Sequence, residues 1–135
     1  MDVSEKYIEM CEKAEEIQKE WKDNSGDFYV SKTDHSTQGI RHNILISTRS
    51  KKDCIWLPRQ DQLQDIIKDN YTDKETNIPF LHPYNHMLWD LVDRLNQGDY
   101  CIKFGVSMEQ LWLAFVMEEK YNKTWNGKDW IKDDN

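Results

Sequence analysis

The sequence predicts an α+β fold: a mostly helical single domain carrying a small antiparallel sheet of two or three strands and a buried C-terminal helix. Three observations predict it. Apolar residues recur at helical spacing near both the start of the chain and residues 84–95. β-branched and aromatic residues concentrate between residues 27 and 57. Leu111 to Met117 is an apolar run with no polar side, embedded in an otherwise polar chain.

The first element is an amphipathic helix over about residues 3–22, because Tyr7, Met10, Ala14, Ile17 and Trp21 alternate at spacings of three and four with Cys11 beside them. Ser4 is a weak match for its cap, and "DNSG" ends it. The small sheet is placed in residues 25–58. "DFYVS", "IRHNILIST" and "CIWLP" supply its strands, with Ile40, His42, Ile44 and Ile46 alternating against polar neighbours in the second. Pro58 stops the third strand and opens a helix at "RQDQLQDIIKDN".

Residues 70–83 read as a loop on their two prolines and absent periodicity. Tyr84, Met87, Leu88, Leu91 and Leu95 then define the inner stripe of a further helix, with Gly98 as its terminator. Ser107 and Gln110 form a capping box at the head of the apolar run. That run is far shorter than the roughly 20 apolar residues a membrane span needs, so it predicts the central core helix. The helical part occupies residues 59–125 and residues 126–135 a tail, with Trp125 and Trp130 folding back as aromatic anchors. An all-helical fold with a decorative hairpin is the alternative.

Composition bounds the function. A chain of 135 residues suits one domain, and six Trp, six Tyr and four Phe supply a core although only 38% of residues are apolar. Cys11, Cys54 and Cys101 are odd in number and show no metal-binding spacing, which points to a reducing compartment; with no export leader in view, the cytoplasm is expected. The net charge of −7 argues against direct DNA or RNA binding and against anionic membranes. Charge is nonetheless uneven: residues 1–24 hold eight acids and four lysines, whereas residues 41–59 hold five cations against Asp53 alone.

Few side chains offer chemistry. His82 and His86 have the i, i+4 spacing of zinc-binding helices, but no third ligand accompanies them and Pro83 separates them, so no metal site is expected. Cys11 and Cys101 sit among apolar neighbours; Cys54 lies near cations, but no base and orienting group accompany it. No phosphate-binding loop, nucleophile elbow or dinucleotide fingerprint is present, so no catalytic residue and no cofactor is assigned and the protein is not expected to be an enzyme. The acids of the first helix are interleaved with lysines, which reads as a solvated face and weakens the idea of a nucleic-acid mimic.

The candidate binding segment is basic: Arg41, Arg49, Lys51, Lys52 and Arg59 surround Trp56, a combination able to clamp phosphate and stack a base. The competing reading makes Trp56 a core residue and the cations blockers of strand edges.

"IWLPRQDQLQ" (Ile55 to Gln64), "SMEQLWLAFVMEEKYNKTWNGKDW" (Ser107 to Trp130) and the opening "EKYIEMCEKAEEIQKEWK" (Glu5 to Lys22) resemble small proteins encoded by phages and prophages of Firmicutes. That group has no assigned activity, so no functional residue carries over. The resemblance implies a protein made in a bacterial host. Two functions follow as expectations. One is a binding protein that inhibits a defence system, either by engaging a defence protein or by sequestering a phosphate-bearing signal nucleotide at the basic segment. The other is a structural or regulatory module that docks on a phage or host protein, for which a tryptophan on the surface is the sign to seek.

Overall fold

A computed structural model describes residues 1–22, 24, 26–33, 41–42, 51–71, 83–97 and 106–134. The fold is α+β, as expected. Helices α1 (Glu5–Lys13), α2 (Glu15–Glu20), α3 (Gln60–Ile67), α4 (Pro83–Gln97) and α5 (Met108–Tyr121) accompany a sheet of β1 (Phe28–Ser31), β2 (Arg41–His42) and β3 (Cys54–Leu57). A hairpin of β4 (Lys123–Trp125) and β5 (Trp130–Lys132) closes the chain. The sheet order is β2-β1-β3, antiparallel throughout, with Tyr29 standing opposite Arg41 on one side and Trp56 on the other.

The first expected helix is two. Ala14 (φ −85°, ψ 68°) breaks it, although alanine is the best helix former. A tertiary contact accompanies the break. Past the break, Gln18 turns inward and its amide serves the free edge of β3: Oε1 accepts from the Trp56 N–H at 2.8 Å and Nε2 donates to the Trp56 carbonyl at 3.0 Å. The same Nε2 reaches the Cys11 carbonyl, also at 3.0 Å, so one side chain satisfies both a strand edge and the helix end. Ser4, a weak cap by sequence, does accept from the Tyr7 N–H.

α5 is the central helix. Trp112, Leu113, Phe115, Val116 and Met117 are buried, and Leu111 and Ala114 are partly so. α3 packs along it through Leu63 and Ile67, α1 crosses β3 and touches α5, and β4 leans on the α5 end. Ser107 caps α5 as expected, but Gln110 does not complete the box; its amide goes to Asp2 and Ser4, fastening the chain start over the helix mouth. Asn122 ends α5 in the left-handed conformation (φ 55°).

The expected tail at 126–135 is corrected to a turn and strand. Asn126 accepts from the Lys128 and Asp129 N–H groups, Gly127 takes φ +101°, and Trp125 and Trp130 pair across the hairpin at 5.0 Å. "NG" between the two tryptophans is a hairpin signal. Trp130 then donates to the Met10 carbonyl at 2.9 Å, so the hairpin is pinned to α1. The expected strand residues 43–47 and Gly98 lie outside the described residues, as does most of the expected loop; Pro83 already belongs to α4.

Three acids of α1 and α2 are tied within the fold: Glu16 to Lys123, Glu20 to Lys120, and Glu9 to Lys13. This arrangement sets a pH dependence. The Lys120 hydrogen bond holds Glu20 below its ordinary value, and Arg59 does the same to Asp61. Burial pushes Asp2 and Glu16 up, but the hydrogen bonds they accept outweigh it and both end lowered. Folded values below unfolded ones stabilise above the unfolded pKa and lose that contribution as pH falls through the folded pKa. The melting temperature is therefore expected to hold from neutrality down to about pH 5 and to fall below the ordinary carboxylate range. Glu20→Gln should flatten part of that acid limb in thermal melts across pH; an unchanged limb would remove the Lys120 pair from the account.

Candidate functional site

Of the predicted basic segment, the side chains of Trp56, Lys52 and Arg59 lie within the described residues. Trp56 is only 4% exposed, lying in β3 with its ring parallel to that of Trp21 at 6.3 Å. Arg59 is committed inside the fold: Nε and Nη2 bind Asp61 at 3.0 and 3.1 Å, and Nη1 donates to the Gly26 carbonyl at 2.8 Å. Arg41 is placed in β2 by its register with Tyr29, and Lys51 opens the 3-10 turn that also contains the exposed Lys52. The side chains of Arg41 and Lys51 lie outside the described residues, as does all of Arg49.

Trp56 does border a cleft of about 430 Å³, but with other cations: Lys22, Lys68 and Lys120. Two of these are held by carboxylates, Lys120 by Glu20 at 2.7 Å and Lys68 by Asp65 at 3.2 Å. Asp27 and Asp69 add two more acids to the wall. A phosphate entering here meets four carboxylates and three ammonium groups, an environment that does not select anions. Asp27 is 1% exposed and accepts from the Trp21 indole at 2.8 Å, the Gln62 amide at 2.6 Å and the Asn24 N–H at 2.8 Å, so its role in the wall is structural. Cys11 and Cys54 are both buried, and burial pushes the Cys11 thiol up, which disfavours a thiolate.

The surface with an unabsorbed feature is the outer side of α4. Met87 and Leu91 face the core and Leu95 packs against it. Arg94 reinforces the same side: it pairs with Glu118 and Glu119 of α5 and lies 5.6 Å from the Phe115 ring centre. Tyr71 donates to Asp90 at 2.8 Å, adding a second clamp. Helical spacing then forces Leu88, Trp89 and Val92 outward, where they are 45%, 71% and 46% exposed. Leu88, expected on the inner stripe, is corrected to this outer one; its neighbour Met87 takes the core position, a turn of about 100° away.

Trp89 stands apart from the other tryptophans. Trp21, Trp56, Trp112 and Trp130 are buried and Trp125 is half-buried against the core, so the core is furnished without it. Sequence reasoning treated a surface tryptophan as the sign of an interaction module but did not place it. The signal was present as two interleaved stripes in one helix, 87/91/95 and 88/89/92, where one partner face needs only one. His86 is exposed on the same helix, and His82 lies outside the described residues. Among the described residues no group of three or more His, Cys, Asp or Glu could hold a metal, and no helix is long and apolar enough to cross a membrane.

No protein-family model, curated protein or solved structure matches the chain.

Proposed function

We propose that the protein acts by stoichiometric binding to another protein, with the outer face of α4 as its contact surface. The observation that carries this reading is Trp89, 71% exposed on a helix whose opposite face is anchored by Met87, Leu91 and Arg94. Tryptophan is enriched among the few residues that dominate binding energy, and a rigid helix presents it at little entropic cost. Leu88 and Val92 supply the apolar surround, which is the pattern of an amphipathic helix laid into a partner's groove.

The partner class follows from the resemblance of both chain ends to phage and prophage proteins: a protein of the bacterial host, with defence proteins foremost, met in the host cytoplasm. A phage protein is the second choice. Sequestration of a signal nucleotide has less support, because Trp56 is buried and Arg59 is bound to Asp61.

Native mass spectrometry of the protein purified from a bacterial host tests the reading. A co-purified chain is expected, and Trp89→Ala should weaken its binding by about 30-fold or more, the scale of a hot-spot residue. The unfolding midpoint of that variant should stay unchanged, since the removed ring touches little of the core. Release of a nucleotide-sized mass on unfolding would instead favour the small-ligand reading. A partner whose affinity ignores Trp89 would move the contact surface elsewhere.

A further inference from the structure

We propose that the outer face of α4 seats in an apolar groove of its partner protein whose rim is cationic along the side nearest α5, with arginine as the favoured rim residue. The inference rests on the reading of this face as a protein-docking surface and adds the chemistry of the occupant.

The face is lopsided. At about 100° per residue, Leu88 and Asp90 flank Trp89 on opposite sides of the helix, and Val92 falls on the Leu88 side. All four are exposed. The surface therefore runs from aliphatic, through the indole, to a carboxylate. Asp90 accepts from the Tyr71 hydroxyl at 2.8 Å, a neutral donor, so that bond steadies the carboxylate without cancelling its charge.

The surroundings keep the same sign. Arg94 is the one Lys or Arg of α4, and its guanidinium is engaged by Glu118 and Glu119 of α5. Tyr71 also reaches Glu119, at 3.3 Å, which joins these groups and Asp90 into one shoulder. Three carboxylates against one guanidinium leave that shoulder negative, before Asp93, which has an interaction of its own within the fold, is counted. The 3-10 turn Lys68–Asn70 touches α4, and its lysine is paired with Asp65. The whole chain carries a net charge of −7.

These charges choose the occupant. A second copy would set acid against acid, and an anionic membrane or a nucleic acid would meet the same repulsion. A groove with cations on one rim gains attraction at the Asp90 side while its apolar floor takes Leu88, Trp89 and Val92. Arginine suits that rim best, because it is enriched at protein interfaces where lysine is depleted and is the more weakly hydrated cation.

Two labelled helical peptides test the rim against the intact protein by fluorescence anisotropy. They share one leucine stripe, and their polar positions are arginine in one and glutamate in the other. The arginine peptide is expected to bind about tenfold or more the tighter. Trp89→Ala should weaken it about tenfold or more, and Asp90→Asn, which keeps an oxygen for the Tyr71 hydroxyl, about threefold or more. Glu15→Gln, exposed on α2, should leave it unchanged. Raising salt from about 0.01 M to about 1 M cuts the Debye length from about 30 to about 3 Å and should erase most of the difference between the parent and Asp90→Asn. Circular dichroism checks that the variants fold. Equal binding of the two peptides, binding of the arginine peptide that ignores Trp89→Ala or Asp90→Asn, or no binding of either overturns the cationic rim. So does a homodimer that Trp89→Ala disperses in sedimentation velocity. The docking reading is judged separately, by whether a chain co-purified from a bacterial host needs Trp89; a chain that needs Trp89 and ignores Asp90→Asn overturns the rim alone.

Discussion

Trp112→Ala is expected to remove a large share of the protein's stability. Trp112 is fully buried on α5 and meets the edge of Phe115 at 5.6 Å and 88°, the T-shaped geometry that adds to simple burial. Truncating a buried Trp to Ala leaves a cavity and costs about 3–5 kcal/mol, against a total of about 5–15 kcal/mol for a domain. Urea unfolding should show a large fall in midpoint with little change in slope. Trp112→Phe separates packing from polarity. The indole N–H of Trp112 is buried without an acceptor among the described residues, so the native ring already bears a desolvation cost. Phenylalanine removes that cost while losing some volume, and the two effects should nearly cancel, to within about 1 kcal/mol. If Phe were as damaging as Ala, the indole N–H would have to be bonded and the account of this helix would be wrong.

The contrast between Trp112 and Trp89 shows what the sequence made legible. The apolar run around Trp112 had to be a core helix, because no other environment accepts a helix apolar on all sides at that length. Patterning likewise placed the strands around Phe28 and Ile55 and the ends of α5. It failed where one side chain acts at long range. Gln18 lies in an acidic, helical stretch, and nothing local shows that its amide will serve the edge of β3, 38 positions away. The break at Ala14, one turn before that contact, was equally hidden.

The surroundings of Trp56 and Arg59 were hidden for a related reason. Arg59 and Trp56 look like a cation and an aromatic set side by side, but period-two geometry buries Trp56 against Trp21, and a carboxylate two positions on claims the guanidinium. Proximity in sequence fixed neither direction nor partner. Trp89 was the reverse case: its direction follows from helix geometry once Met87 and Leu91 are known to face inward, and the ambiguity lay in choosing between two apolar stripes.

Asp27→Ala should be the most damaging change to a polar residue. The carboxylate is buried between the end of α2 and α3, and it gathers three donors: the Trp21 indole, the Gln62 amide and the Asn24 N–H. Alanine leaves all three without that acceptor. Gln62 and Asn24 have solvent within reach and recover part of the loss, but Trp21 is 6% exposed and its N–H bears the full penalty. With a cost of about 1–3 kcal/mol for a buried donor left unmade, plus smaller losses at the other two, the total should be about 3 kcal/mol. The damage should spread, because Trp21 stacks on Trp56 and lies 6.0 Å from Tyr29, so freeing its ring loosens the face of the sheet. A double-mutant cycle with Trp21→Phe isolates the central bond. Phe keeps an aromatic ring over Trp56 and deletes the donor, so Asp27→Ala should cost less in that background, by about 1–2 kcal/mol. Strict additivity would mean that Asp27 acts through Gln62 and the turn alone, and that Trp21 is held by stacking without help from its hydrogen bond.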